Sequence, residues 1–229
     1  MTNDITDTSL HALLARVADL ERRVQRAEDI EAINKLTRMY GYYLDKALWA
    51  EILPLFTDDC SVEISALGVY LGKARAAVLF RDILGKGPAM SDENGLVHGR
   101  LYNHLIVQGI VHVDADGENA SGRWRCFMQI AEFGVKATWG EGPYEIRYRK
   151  EAGQWKIHRL HFYRTYHTPF EEGWAKAKSP EGGLRERFAP DLPPSIDYQP
   201  YPAAFVPPFH YANPVSGSST YMRADPERV

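Results

Sequence analysis

Three tyrosines and then a carboxylate open the run MYGYYLDKALWAEILPLFTDDC (39–60): Tyr40, Tyr42 and Tyr43, followed by Asp45. Asp45 is either a helix-end carboxylate in water or an acid/base group at the rim of a pocket. A second candidate lies in RLYNHLIVQGIVHVDA (100–115), which reads as a strand. Alternation puts Tyr102, His104, Ile106, Gln108 and Ile110 on one face if no bulge intervenes. Leu101, Asn103, Leu105 and Val107 take the other face, so parity alone leaves both orientations open. An imidazole on an apolar wall can remove and return a proton. Taken singly, it reads equally as a hydrogen-bonded structural histidine.

The elements that must position these groups follow from periodicity. Residues 28–44 place Ile30, Ile33, Thr37, Tyr40 and Leu44 on one helical face, so Tyr40 points inward and Asp45 lies one residue past it. Before it, 9–27 sets Leu10, Leu13, Val17, Leu20, Val24 and Ala27 at spacings of three and four, with Ser9 as N-cap. That narrow seam reads as an oligomerisation arm or as a helix docked on its own domain. A third helix is expected over 47–56, limited by Pro54, with FTDDC closing it and SVEISAL starting a strand. A helix over 72–84 and a long loop over 85–95 follow. Strands over 100–115, 120–134, 142–151 and 154–166 complete an antiparallel meander. The fold class is α+β, a strongly bent sheet wrapped around helices. The expected organisation is an arm (1–27), a barrel-like domain (28–166) and an extended tail (167–229). The tail holds eleven of the fourteen prolines and many rings, so it should be pinned to the domain or to a neighbouring subunit.

Composition removes several classes. The 229 residues carry a net charge of −3 with no basic stripe, so nucleic acid is not an expected partner. No apolar run approaches the roughly 18 residues of a membrane span. The polar start MTNDITDTSL does not read as a signal peptide, and Cys60 and Cys126 read as reduced thiols, so the expected location is the cytoplasm. His158 and His161 point to opposite faces of a strand, and no HExxH or cysteine cluster exists, so no metal is expected. No nucleotide-binding glycine motif is present either, and the expected cofactor is none. The 13 tyrosines and 5 tryptophans suit an aromatic ligand. The candidate contacts are Tyr43, Trp49, His98, Tyr102, Trp124, Tyr144, His161 and Tyr163, each of which singly reads as core.

The pieces YGYYLDKALWAEILPLFTDDCSVEI, NHLIVQGIVHVDADGENASGRWR and WGEGPYEIRYRKEAGQWKIHRLHFY, spanning about 28–165, resemble the SnoaL-like branch of the nuclear transport factor 2 superfamily. The resemblance implies a cone-shaped α+β barrel with a deep pocket, often in dimers or trimers. Dehydratase and dehydrochlorinase members pair an Asp just after the second helix with a His on a central strand, and Asp45 and His104 match those places. Tyr40 matches a tyrosine of the bile-acid 7α-dehydratases where dehydrochlorinases have lysine. A further arginine of those enzymes has Arg123, Arg125 and Arg159 as competing counterparts. Scytalone dehydratase is a more distant likeness. The resemblance implies that Asp45 orients His104, which moves a proton, while Tyr40 donates to a leaving hydroxyl or an oxyanion.

The expected activity is that of a cofactor-independent lyase. Its substrate would be a hydroxylated aromatic compound that loses a hydroxyl. The long tail and aromatic load look similar to lignin-derived diarylpropane lyases, which also release formaldehyde and leave a stilbene. The alternatives are a steroid or bile-acid-type dehydratase or isomerase and, in another class, a non-catalytic binding or assembly module.

Overall fold

The computed structural model describes residues 2–85, 95–179 and 188–222, with side chains from Ser9 onward. Most of the loop expected over 85–95 lies outside the described residues. Helix α1 runs unbroken from Thr2 to Leu44, so the arm and the second helix are one rod, and Ser9 lies within it rather than capping it. Neither glycine nor proline occurs between Thr2 and Tyr40 to break it. It ends in a Schellman closure. Leu48 donates to the Tyr43 carbonyl at 3.0 Å and Ala47 to that of Leu44 at 3.1 Å, with Ala47 left-handed at φ 52°.

After α1 comes a single turn, α2 (Trp49–Ile52), and a 3-10 turn at Leu53–Leu55 containing Pro54. Strand β1 (Phe56–Ile64) starts earlier than expected, so FTDDC is strand and not a helix end. Buried Phe56, Cys60 and Val62 explain the shift, because their burial outweighs the turn-forming aspartates. Then follow β2 (Val69–Leu71), α3 (Lys73–Ala77), a π-helical stretch (Val78–Leu84), β3 (Arg100–Val113), β4 (Asn119–Glu132), β5 (Lys136–Glu151), β6 (Gln154–Phe162), β7 (Tyr166–Pro169) and α4 (Gly173–Lys176). The sheet order is β2-β1-β6-β5-β4-β3 with β7 added to β5, and only β1–β6 is parallel. The sheet is curved and unclosed, and the chain is mixed α+β. Because β7 pairs with β5, the sheet continues past residue 166, where the tail was expected to begin.

The inner face carries the core: Tyr40, Phe56, Phe80, Cys126, Tyr144, Ile146, Tyr148 and Leu160, each no more than 3% exposed. The outer face is polar and lies under the tail. Buried Glu63 accepts from the Ser195 amide (2.8 Å) and hydroxyl (2.7 Å), and Arg123 stacks on Phe209 at 4.0 Å, while off the sheet Asp191 of the tail accepts from Arg75 of α3 (2.9 Å). His210 places Nδ1 2.9 Å from Glu145. Among the described residues no helix is long and apolar enough to cross a membrane.

Where α1 enters the domain it is fastened by Asp29, which is 5% exposed. Asp29 accepts from Trp155 Nε1 (2.8 Å) and pairs with Lys150 Nζ (2.9 Å). Burial alone would raise the Asp29 carboxyl; these donors outweigh it and hold the group below its ordinary range. Asp29→Ala strands both donors and should cost about 3 kcal/mol of stability. A carboxyl held low in the fold stabilises above the ordinary carboxylate range, and that stability is lost as pH falls through it. Thermal melts should therefore show the gap between wild type and Asp29→Ala narrowing below about pH 4.

Candidate active site

The end of α1 lies against β3, which is an edge strand among the described residues. The approach is close because Gly41 has no side chain: a Cβ there would sit 3.1 Å from Ile106 Cδ1 and 3.7 Å from the His104 carbonyl oxygen. One turn on, Asp45 meets the strand edge. Its Oδ1 accepts the His104 backbone N–H at 2.6 Å and lies 3.2 Å from the His104 ring Nδ1. A carboxylate only accepts, so Nδ1 carries the hydrogen and Nε2 is left as the proton acceptor. The His104 side chain is 9% exposed and that of Asp45 17%, which shields the pair while leaving an approach.

His104 heads a row across the inner face, with Met128 on β4, Gly140 on β5 and His167 on β7. Gly140 makes the row possible: a Cβ there would fall 2.5 Å from Met128 Cγ, so the Met128 side chain lies over the Gly140 backbone. His167 Nε2 is 2.9 Å from Thr138 Oγ1. Burial, then the nearby Arg164 guanidinium, push the His167 pKa down and favour its neutral ring. A hollow of about 460 Å³ opens beside His167, Thr138 and Glu172.

Tyr40 and Tyr144 lie deeper. Their rings meet edge to face, with centroids 6.2 Å apart. Burial holds both phenols well above their usual range, so they are permanent donors. Burial pushes the Cys126 thiol up to about 12 and Cys60 up to about 11, so neither is a thiolate at neutral pH. Asp45 is near enough for its charge to contribute to the Cys126 shift.

Of the sequence candidates, Asp45, His104 and Tyr102 come together. The Tyr102 and His104 rings are 6.0 Å apart, and the Tyr102 hydroxyl donates to the Leu84 carbonyl at 3.2 Å. Tyr40 and Tyr144 sit behind them, and Tyr43 is half-buried against the core. Trp49 is core, stacked on Phe80 at 6.2 Å. Trp124 packs over Gly109 and donates to the Tyr148 hydroxyl at 3.0 Å, in a network with Thr37. His98 is exposed in a turn. His161 and Tyr163 stack at 3.7 Å on the outer face, where His161 pairs with Glu63 and Glu145 across the strands, so they do not line the His104 side. The three arginines also face outward: Arg123 pairs with Glu145, Arg125 with Glu141, and Arg159 lies opposite Arg147. A bulge in β3 corrects the strand parity. The register slips between Val107 and Ile110, with Gln108 at φ 55°, so Ile110 leaves the face of His104 and Gln108 accepts from Arg125 instead.

Sequence reasoning missed Gly41, His167 and Arg164. Gly41 sits in the YGYYLD run, one turn before Asp45, and a glycine inside a helix is the available signal for a close approach. His167 and Arg164 lie around the residue-166 boundary, and the short strand YHTP carries little period to reveal β7. Among the described residues no group of three or more His, Cys, Asp or Glu is placed to hold a metal.

The SnoaL-like domain family matches residues 25–161. Among solved structures, a scytalone dehydratase-like protein from Novosphingobium aromaticivorans is similar at 18% identity and a TM-score of 0.54, over 70% of this chain and 98% of that one. A hexachlorocyclohexane dehydrochlorinase, LinA-type3 from Novosphingobium barchaimii, is similar at 18% identity and a TM-score of 0.54, over 64% and 93%. At these identities the likeness is one of fold. No curated protein matches the chain significantly.

The double grip of Asp45 on His104 can be tested by amide hydrogen exchange. Asp45→Ala removes a charge-assisted bond worth about 1.5–3 kcal/mol, so the His104 amide should exchange at least about tenfold faster. Asp45→Asn keeps an acceptor oxygen and should stay close to wild type. An unchanged amide in Asp45→Ala would refute the grip.

Proposed function

The chain belongs to the SnoaL-like domain family, and from that premise we propose that it is a cofactor-independent lyase acting on a hydroxylated aromatic compound. Lyase-type neighbours in the same superfamily support the general class. The observation that carries the reading is the Asp45 Oδ1 held on both the backbone and ring nitrogens of His104. It fixes the tautomer and aims Nε2 away from the carboxylate, as a positioned base requires.

A phenolic diarylpropane diol fits this chemistry without an electron-accepting cofactor. The para-phenol gives up its proton as the benzylic C–O bond breaks, and the hydroxyl leaves as water, forming a quinone methide. His104 Nε2 then removes the proton of the terminal CH2OH. The C–C bond breaks, its electron pair rearomatises the ring, and formaldehyde departs. The phenolate regains a proton, leaving a stilbene, water and formaldehyde, so atoms and charge balance. The buried Tyr40 phenol, kept protonated by burial and edge-on to Tyr144, favours a second reading, a steroid or bile-acid-type dehydratase or isomerase in which a phenol donates to an oxyanion.

The purified protein, incubated with a phenolic diarylpropane diol and no added metal, flavin or nicotinamide, should yield stilbene and trapped formaldehyde in equal amounts. Loss of water alone would favour the dehydratase reading, and no turnover of any hydroxylated aromatic would favour a binding module. His104→Ala should slow turnover at least about a hundredfold, the low end for a positioned acid/base group. Full activity in His104→Ala would remove the proposal.

A further inference from the structure

We infer that the projecting part of α1 is one strand of a parallel, in-register two-stranded coiled coil with a second copy of this chain. The seam is open in the single chain, from Val17 at 42% exposed to Leu13 at 58%. It is a heptad repeat: Leu10, Val17 and Val24 take the a positions, and Leu13, Leu20 and Ala27 the d positions. β-branched residues at a with leucine at d favour two strands.

The flanking charges choose the orientation. Arg16 and Arg23 occupy g positions, and Glu21 and Glu28 occupy e positions. In a parallel pair each g residue faces the e residue of the partner's following heptad. Arg16 then meets the partner's Glu21, and Arg23 meets the partner's Glu28, giving four attractive pairs by symmetry. An antiparallel pair would set arginine against arginine and glutamate against glutamate. Among the described residues none of these four side chains has an ion pair within its own chain.

The domain does not obstruct this pairing. At 100° per residue the seam and the face that α1 turns to its own core (Ile30, Ile33, Thr37, Tyr40, Leu44) point about 150° apart, so two domains would hang on opposite outer sides. The arm is also rooted before it pairs: Arg26 donates to the Val113 carbonyl at 2.8 Å and Asp29 fastens the next turn. A helix already held in place gives up less entropy on association.

Val24→Cys in the full chain tests the inference. In the parallel pair position 24 faces itself, so mild oxidation should give a disulfide-linked dimer; both native cysteines are buried. Adding Arg16→Glu and Arg23→Glu turns four attractive pairs repulsive and should cut the linked fraction at least about tenfold. Mixing that chain with one carrying Val24→Cys, Glu21→Arg and Glu28→Arg should restore linkage between the two chains. The inference is overturned if Val24→Cys does not self-link, if charge reversal leaves linkage unchanged, or if separate Leu13→Cys and Val24→Cys chains link to each other instead, as an antiparallel pair would.

Discussion

One carboxylate oxygen, Oδ1 of Asp45, closes the open edge of the sheet at the point where the candidate chemistry lies. Among the described residues strand β3 has a neighbour on one side only, so its outward amides need partners from elsewhere. The end of α1 supplies one. Gly41 lets the helix come close enough, and the Schellman closure through Ala47 ends it so that Asp45 stays on the last turn. The bond that satisfies the His104 amide also fixes its ring. Structure and proposed catalysis thus share one group, and the grip on the backbone alone would explain why an aspartate stands here.

The two faces of the sheet divide the work. The inner face holds the dyad, the His104–Met128–Gly140–His167 row and the tyrosine pair. The outer face holds Glu63, Glu145, Arg123 and His161 and is strapped by the tail through carboxylate and ring contacts. Aromatic richness therefore has two sources. Tyr163, directly after β6, packs against Tyr198 and Phe205 of the strap, the three rings lying at centroid distances of 4.4–6.2 Å, and they speak to docking rather than to a ligand.

The fold was legible where periods were long. The helical face of 28–44 and the alternation in 100–107 announce the rod and the strand that meet at the dyad. Three things were not legible, each for a physical reason. The bulge at Gln108 adds one residue to a strand without changing its composition, so parity past it fails. FTDDC has turn chemistry but is drawn into β1 by the burial of Phe56 and Cys60. His161 looks like a pocket histidine on a strand, yet which face of a strand turns inward is set by its neighbours. The pairing of Asp45 with His104 came from family resemblance, since the two residues are 59 apart and neither carries a local signal for the other.

The central claim is that Asp45 and His104 act as one unit in moving a proton. A double-mutant cycle on turnover tests it most directly, with Asp45→Asn, His104→Ala and the double variant measured on the same phenolic substrate. Groups acting as a unit lose activity non-additively, so the double variant should be no slower than the worse single variant. Multiplying losses, or full activity in Asp45→Asn, would make Asp45 a structural cap on a strand edge and contradict the account.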